Sequence, residues 1–214
     1  MYRNQGNIPL LDLLSPAHFG AVLDIGCGAG DNARILAVRG WSVDGITLSQ
    51  AEQESARLIC SDVWVHDLDT GLPDETAGPY DVAVLSHVLE HLRNPEALLC
   101  RVRKILKPGG KIAVALPNIL NWHQRLLFLF GRFEYTDQGI MDITHIRFYT
   151  FSSARRMIEA CGYNVVRAKA SGSILPWGPL RKAAPLLTSS VDRLFCWISP
   201  GLFGRQLLYL ACAK

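Results

Sequence analysis

The run Val22-Leu23-Asp24-Ile25-Gly26-Cys27-Gly28-Ala29-Gly30 decides the fold, because a short apolar stretch passes directly into three alternating glycines. Residues 22–25 are typical of a brief buried strand, and the pattern of 31–39 predicts a helix. Glycines leave no Cβ atoms in the turn, so the backbone can approach a ligand closely beside the free N–H groups of that helix. In an open α/β sheet such a turn lies at the carboxyl ends of the strands, where ligands bind.

Short apolar runs alternate with segments of helical pattern along the rest of the chain. We expect strands at 22–25, 41–46, 63–66, 81–85, 111–116, 163–166 and 206–212, and helices at 7–14, 31–39, 49–59, 94–106 and 152–161. Ser152 is the candidate N-cap of the last helix. This alternation indicates a parallel sheet covered on both faces. Because the length suits one core and no repeat or linker is found, we expect a single domain over 1–214.

Composition excludes several classes of protein. Hydrophobic residues make up 49% and charged residues 19%, which is typical of a globular chain. The net charge of +3 without a dense Lys/Arg run gives no support for a nucleic-acid partner. The six cysteines form no C-x-x-C pair, and the chain starts without a signal-peptide pattern. We therefore expect free thiols and a cytoplasmic location.

The spacing of the glycines separates two kinds of nucleotide site. A dinucleotide-binding turn has the pattern G-x-G-x-x-G, whereas Gly30 comes one residue too early for it. The pattern Asp24-x-Gly26-x-Gly28-x-Gly30 resembles the first motif of class I S-adenosylmethionine-dependent methyltransferases. Other landmarks follow in that family's order over residues 1–166, namely His66-Asp67-Leu68, Tyr80-Asp81, Val88-Leu89-Glu90-His91-Leu92 and Leu106-Lys107-Pro108-Gly109-Gly110. Residues 117–133 and 142–150 resemble a bacterial subgroup often associated with cell-surface polysaccharide or natural-product pathways.

The resemblance implies both a fold and a cofactor. The fold is a Rossmann-like, doubly wound α/β sheet of seven strands, mostly parallel with the last strand antiparallel, and with helices on both faces. The cofactor is S-adenosylmethionine, and its product is S-adenosylhomocysteine. By resemblance the methionine part is held by Asp24, Gly26, Cys27, Gly28 and Gly30, and the adenine by Asp67 and Leu68. Ser86 and His87 would border the methionine part and the sulfonium.

One position departs from the family pattern. The family usually places Glu or Asp at the end of the second strand, where the carboxylate accepts both ribose hydroxyls. This chain has Thr47 there, within a Gly-Ile-Thr-Leu-Ser run that resembles the cyclopropane-synthase-like branch. A hydroxyl can bind ribose, although its neutral hydrogen bond is weaker than that of a carboxylate. The alternative is that Thr47 only ends the strand.

Histidines are the candidates for receiving a proton from a hydroxyl acceptor. His145, in the loop before the helix at 152–161, is the first candidate for a base or substrate ligand, and His91 is the second. The alternatives are that His145 ties its loop to the core and that His91 is satisfied at a helix start. His18 and His66 are expected to be surface or structural residues. We expect no metal site, because no carboxylate cluster flanks these positions.

The segments at about 119–147 and 171–204 are expected to be insertions that cover the substrate. The apolar run at 126–133 is predicted to be buried core, with peripheral membrane contact as the alternative. The predicted function is methylation of a hydroxyl on a small-molecule, sugar or lipid-linked acceptor, by a monomer or homodimer. Competing hypotheses are an NAD-dependent oxidoreductase, which the glycine spacing disfavours, and a non-catalytic protein that keeps the methyltransferase fold to bind a partner.

Overall fold

The computed structural model describes residues 5–14, 20–76, 78–175 and 177–214. The strands are β1 (Ala21–Ile25), β2 (Ser42–Thr47), β3 (Val63–Val65), β4 (Tyr80–Ser86), β5 (Leu106–Pro117), β6 (Tyr163–Ser171) and β7 (Gln206–Ala213). The helices are α1 (Ile8–Leu11), α2 (Asp31–Val38), α3 (Gln50–Ala56), α4 (Pro95–Ile105), α5 (Trp122–Leu129), α6 (Phe151–Ala160), α7 (Gly178–Ala183), α8 (Pro185–Ile198) and α9 (Pro200–Phe203). A 3-10 helix covers Leu89–His91. His18 lies outside the described residues.

The strands form one seven-stranded sheet in the order β3-β2-β1-β4-β5-β7-β6. Neighbours from β3 to β5 are parallel, while β7 is antiparallel to both β5 and β6. The predicted doubly wound sheet with an antiparallel last strand is therefore confirmed. The chain winds outward from β1 in one direction and from β4 in the other, so the switch point lies between these two strands. Ligands bind at the carboxyl ends of the strands at such a point.

Most residues of β1, β4, β7 and the second half of β5 are buried, which explains why these strands are almost continuously apolar. Successive residues of a strand point to opposite faces. In β4, Val82 and Val84 join the core beneath α1 and α2, while Ala83 and Leu85 join the core beneath α4 and α6. The prediction of helices on both faces is confirmed by these two cores.

The ends of some predicted elements are shifted. Thr150 caps α6, not Ser152, so the helix begins at Phe151. The Thr150 hydroxyl accepts from the Ser153 backbone N–H at 3.1 Å, and the Ser153 hydroxyl accepts from the Thr150 N–H at 2.9 Å. This reciprocal pair is a capping box, in which Ser153 takes the place usually held by Glu or Gln. The helix predicted at 7–14 is a single turn, and residues 12–14 continue as a turn and bend.

The apolar run at 126–133 is not buried core, so that prediction is wrong. α5 has no buried residue, and Leu129 and Phe130 are 76% and 75% exposed. Its first residue anchors it, because the Trp122 indole donates to the Ile174 carbonyl at 3.0 Å. None of the residues at 126–133 belongs to either core, so this helix lies outside the packed faces of the sheet. Over the described ranges, no helix combines the length and the apolar character needed to span a bilayer.

The stretch 171–204 forms a helical layer beside β6. α8 and α9 pack against β6 and against each other. Asp192 of α8 joins the layer together, because its carboxylate accepts from the Ile174 backbone N–H and the Trp177 indole and pairs with Arg181. Although burial opposes its ionisation, these donors lower the pKa of Asp192. The layer therefore depends on one charged anchor as well as on apolar contacts.

Candidate functional site

A cavity of about 790 Å³ opens at the carboxyl ends of β1 and β4, at the switch point of the sheet. This volume lies in the range of about 300–1,000 Å³ that small-molecule sites occupy. Of the predicted site residues, the cavity brings together Gly26, Cys27, Gly28, Ser86, His87, His91 and His145. The other predicted site residues, which are Asp24, Gly30, Thr47, Asp67 and Leu68, are not among its lining residues.

The three glycines of the turn have different roles. A Cβ on Gly26 would lie 2.5 Å from a Val88 methyl carbon, and one on Gly30 would lie 3.3 Å from Ala56, so these two permit close packing. At Gly28 a Cβ would meet nothing within 4 Å. Its φ of +53° is a conformation that glycine adopts readily and other residues rarely do. Gly28 thus presents bare backbone to the cavity.

Asp24 lies beneath this turn and is completely buried. Within the described part of the chain, neither carboxylate oxygen accepts a hydrogen bond of ordinary geometry. Burial raises the pKa of Asp24 to about 7, and the nearby Asn32 amide lowers it only in part. A buried carboxyl that is so weakly hydrogen-bonded is costly. Because Asp24 is buried and does not line the cavity, its role in cofactor binding stays a prediction, and it can act only through the turn that follows it.

Thr47 does not reach the cavity, but it supports a residue that does. Its hydroxyl is buried and donates to the Glu52 carboxylate at 2.9 Å. Glu52, in the first turn of α3, lines the cavity. A carboxylate is therefore present next to the end of β2, displaced by five positions from where the family pattern expects it. Sequence reasoning missed Glu52, although an acidic residue five positions after Thr47, in the first turn of the next helix, was a usable signal.

Asp67 and Leu68 lie farther away, because they follow β3 at the edge of the sheet. Asp67 is exposed, and its carboxylate accepts from the Asp69 backbone N–H at 3.0 Å. Leu68 packs against the apolar core. β2 lies between β3 and β1, which separates these residues from the glycine turn. Their adenine-binding role stays a prediction.

His87 follows β4 with a φ of +57°, which is uncommon for a residue with a side chain. Its Nδ1 donates to Glu90 Oε1 at 3.0 Å, and its Nε2 donates to Gln206 Oε1 at 3.1 Å. Burial opposes protonation, but the Glu90 carboxylate and the Gln206 amide outweigh it and raise the pKa of His87. The side chain is 41% exposed, so water weakens this ion pair.

Two residues at opposite ends of the described chain complete this wall of the cavity. The Asn7 amide donates to the Ser86 hydroxyl at 3.1 Å and to Gln206 Oε1 at 3.0 Å. Gln206 in turn donates to the Ser171 hydroxyl at 2.8 Å. Neither Asn7 nor Gln206 belongs to a local motif, so no sequence signal pointed to them.

His91 and His145 meet at the other side of the cavity. Their ring centroids are 4.8 Å apart, with the rings inclined by 63°. The Nδ1 of His145 donates to the Ile140 carbonyl at 3.1 Å, and that of His91 donates to the Thr144 carbonyl at 3.3 Å. Each imidazole therefore fastens the loop around residues 140–144 and also keeps a lone pair on Nε2. Both readings proposed for His145, loop anchor and functional group, fit this geometry.

Comparison with known proteins identifies the family of this chain. The family described as "Methyltransferase domain" matches residues 2–168 of the chain. The chain belongs to this family. S-adenosylmethionine is the cofactor that the family and the fold imply.

Relatives of this methyltransferase domain include enzymes named for O-methylation. The chain is 30% identical over 153 residues to the "Ubiquinone biosynthesis O-methyltransferase" of Idiomarina loihiensis. This match covers 65% of this chain and 59% of the relative. Its match to the Pseudomonas aeruginosa protein of the same name covers 44% of that relative. The chain thus spans about half the length of the curated relatives it matches.

Solved structures share the fold at low sequence identity. An S-adenosylmethionine-dependent methyltransferase from Mesorhizobium loti has a TM-score of 0.62 at 18% identity, with 95% of each chain covered. A chain in the complex of the Haloferax volcanii Trm112 methyltransferase activator with a methyltransferase has a TM-score of 0.64 at 17% identity, covering 96% of this chain and 88% of that one.

The residues present fit the cofactor. Gly28 offers a cradle that any side chain would fill, and Glu52 offers a carboxylate within the same cavity. The cavity is large enough to hold a nucleoside and a small acceptor together. What the cofactor supplies when bound is an activated methyl group.

Proposed function

We propose that this domain transfers a methyl group from S-adenosylmethionine to a hydroxyl oxygen of a small molecule. The observation that carries the proposal is that a single cavity joins the bare backbone of Gly28 to the imidazoles of His91 and His145. Methyl transfer requires a cofactor and an acceptor to meet in line, and this cavity has one end suited to each.

The cofactor end consists of the glycine turn, Glu52 and the residues after β4. The backbone at Gly26 and Gly28 would hold the methionine part, and the Glu52 carboxylate would accept hydrogen bonds from the ribose hydroxyls. The hydrogen bond from Thr47 orients that carboxylate. Ser86 and His87 would border the sulfonium, while Asp24 would support the glycine turn from the preceding strand.

The acceptor end consists of His91, His145 and the loop that covers them. The Nε2 lone pairs of both imidazoles are available to the acceptor hydroxyl, because each Nδ1 proton is engaged by a backbone carbonyl. The names of the curated relatives favour oxygen as the methylated atom. Phenolic, sugar and lipid-linked hydroxyls are therefore the acceptors to test.

Calorimetry with S-adenosylmethionine and S-adenosylhomocysteine tests the cofactor end directly. We expect Gly28→Ala to weaken binding by at least about 10-fold, because the new methyl group fills the cradle and the required φ is strained. Gly109→Ala is the matched control, since Gly109 also has a positive φ and open space but lies outside the cavity. An equal loss of cofactor affinity in both variants would show that the loss comes from backbone strain and not from contact with the cofactor.

Turnover is tested by incubating the protein with the cofactor and a panel of hydroxylated compounds and measuring S-adenosylhomocysteine release. We expect His145→Ala to keep cofactor binding and to lose turnover. Unchanged turnover in this variant would remove His145 from the proposal. Absence of binding at millimolar S-adenosylmethionine would instead favour a non-catalytic, partner-binding protein.

A further inference from the structure

We propose that Glu90, His91 and His145 bind a divalent transition-metal ion at the acceptor end of the cavity. Two of these residues lie in the 3-10 helix after β4, and the third lies in the loop before α6. One potential ligand atom from each lies within 4.8 Å of the others. A metal with bonds of about 2.0–2.2 Å holds its ligand atoms closer than this, so small side-chain rotations complete the site.

The hydrogen bonds of the two imidazoles prepare them for a metal. The Nδ1 of His145 donates to the Ile140 carbonyl, and that of His91 donates to both the carbonyl and the hydroxyl of Thr144. The Thr144 hydroxyl can accept because its own proton goes to Asp142 at 2.6 Å. Metal-binding histidines characteristically donate one ring N–H to a backbone carbonyl or carboxylate while the other nitrogen binds the ion.

Glu90 supplies the second, independent observation. Its side chain is completely buried, and Oε1 accepts from His87. Across the described ranges, Oε2 has no hydrogen-bond partner. A buried carboxylate oxygen without a partner is destabilising, so an ion bound there would supply the missing contact.

The ligand set indicates the class of metal. Two imidazoles and one carboxylate suit Zn²⁺, Mn²⁺, Fe²⁺ or Co²⁺, whereas Mg²⁺ and Ca²⁺ prefer oxygen ligands alone. His91 and His145 both line the cavity, so a remaining coordination position faces the place of the acceptor.

The role of the ion rests on the proposed function and replaces the direct contact of the two imidazoles with the acceptor, because the metal takes up their Nε2 lone pairs. It would bind the acceptor hydroxyl and lower its pKa, so that the proton leaves to water. The oxygen electron pair then forms the O–CH₃ bond as the S–CH₃ bond breaks, and the sulfonium becomes a neutral thioether. Binding of the ion itself does not depend on this step.

The test uses untagged protein treated with a chelator and then titrated separately with Zn²⁺, Mn²⁺, Co²⁺ and Mg²⁺ in a calorimeter. We expect one transition-metal ion per chain, with visible absorption bands for Co²⁺ and no comparable binding of Mg²⁺. Glu90→Gln, His91→Ala and His145→Ala should each weaken binding by more than the roughly 10–100-fold that a change outside the ligand shell causes. His66→Ala and His123→Ala, which remove histidines that do not line the cavity, are the controls and should bind normally.

Binding of S-adenosylhomocysteine is measured on the same samples, which separates this proposal from the proposed function and shows that each variant is folded. Cofactor binding without metal binding would overturn the metal site and leave the proposed function standing. Metal binding without cofactor binding would support the metal site and overturn the proposed function. Equal metal affinity in the wild-type protein and the three ligand variants would also overturn the site.

Discussion

Among single residues, Asp24 makes the free energy of unfolding depend on pH. Its folded pKa of about 7 lies above the ordinary value of 3.8, so the folded protein holds a proton that the unfolded chain loses in this interval. The sign follows from proton linkage: this contribution to the free energy of unfolding is fully present below about pH 4 and declines as the pH rises to about 7. The decline amounts to roughly 1.4 kcal/mol per pH unit at most.

We expect Asp24→Asn to abolish this decline, because an amide does not titrate. Urea unfolding of both proteins between about pH 4 and about pH 8 measures it, and the stability difference should shift in favour of the variant as the pH rises. Asp74→Asn, at an exposed carboxyl in the loop before β4, is the control. Parallel pH profiles for the wild type and Asp24→Asn would contradict the prediction.

Among the elements, α5 shows most clearly how an apolar pattern can mislead. Its leucines and its phenylalanine predict a buried helix, yet none of its residues is buried. α4 has the opposite character, since Leu98, Leu99 and Val102 are buried on one face. The difference between these two helices lies in what they face, because only α4 packs against a strand surface.

We expect Leu129→Ser in α5 to change the free energy of unfolding by no more than about 0.5 kcal/mol. Leu99→Ser in α4 is the matched comparison. It should lower the free energy of unfolding by several kcal/mol, because Leu99 is fully buried and the serine hydroxyl would be buried in its place. Urea unfolding measures both. A loss above about 2 kcal/mol for Leu129→Ser would show that α5 is buried in solution.

For the whole molecule, the cavity connects segments that are distant along the chain. The Asn7–Gln206 contact joins residues 199 positions apart, and the His91–Thr144 contact joins residues 53 positions apart. A ligand held between such segments binds only the folded protein, so its binding energy adds to global stability.

We expect S-adenosylhomocysteine at 100 times its dissociation constant to raise the free energy of unfolding by about 2.7 kcal/mol. NADH at the same concentration should have no effect, because the glycine spacing does not fit a dinucleotide. Chemical unfolding at increasing ligand concentration provides the measurement. Stabilisation by NADH and not by S-adenosylhomocysteine would favour the competing hypothesis of an NAD-dependent oxidoreductase.

The sequence by itself determined the strands, the binding turn and the family, because these depend on patterns within a few neighbouring residues. The alternation of apolar runs with helical segments predicts the two-faced sheet, and the spacing from Asp24 to Gly30 identifies the turn. Boundaries that depend on a few local hydrogen bonds, such as the capping box of Thr150 and Ser153, were less predictable.

Only the tertiary structure decided which side chains meet. Glu52 occupies the place beside the cavity expected for Thr47, and Glu90 joins His91 and His145, because strand order and loop path bring them together. The insertion of β7 between β5 and β6 likewise places Gln206 beside His87. Such contacts depend on how elements pack across long sequence separations, and no local periodicity encodes that packing.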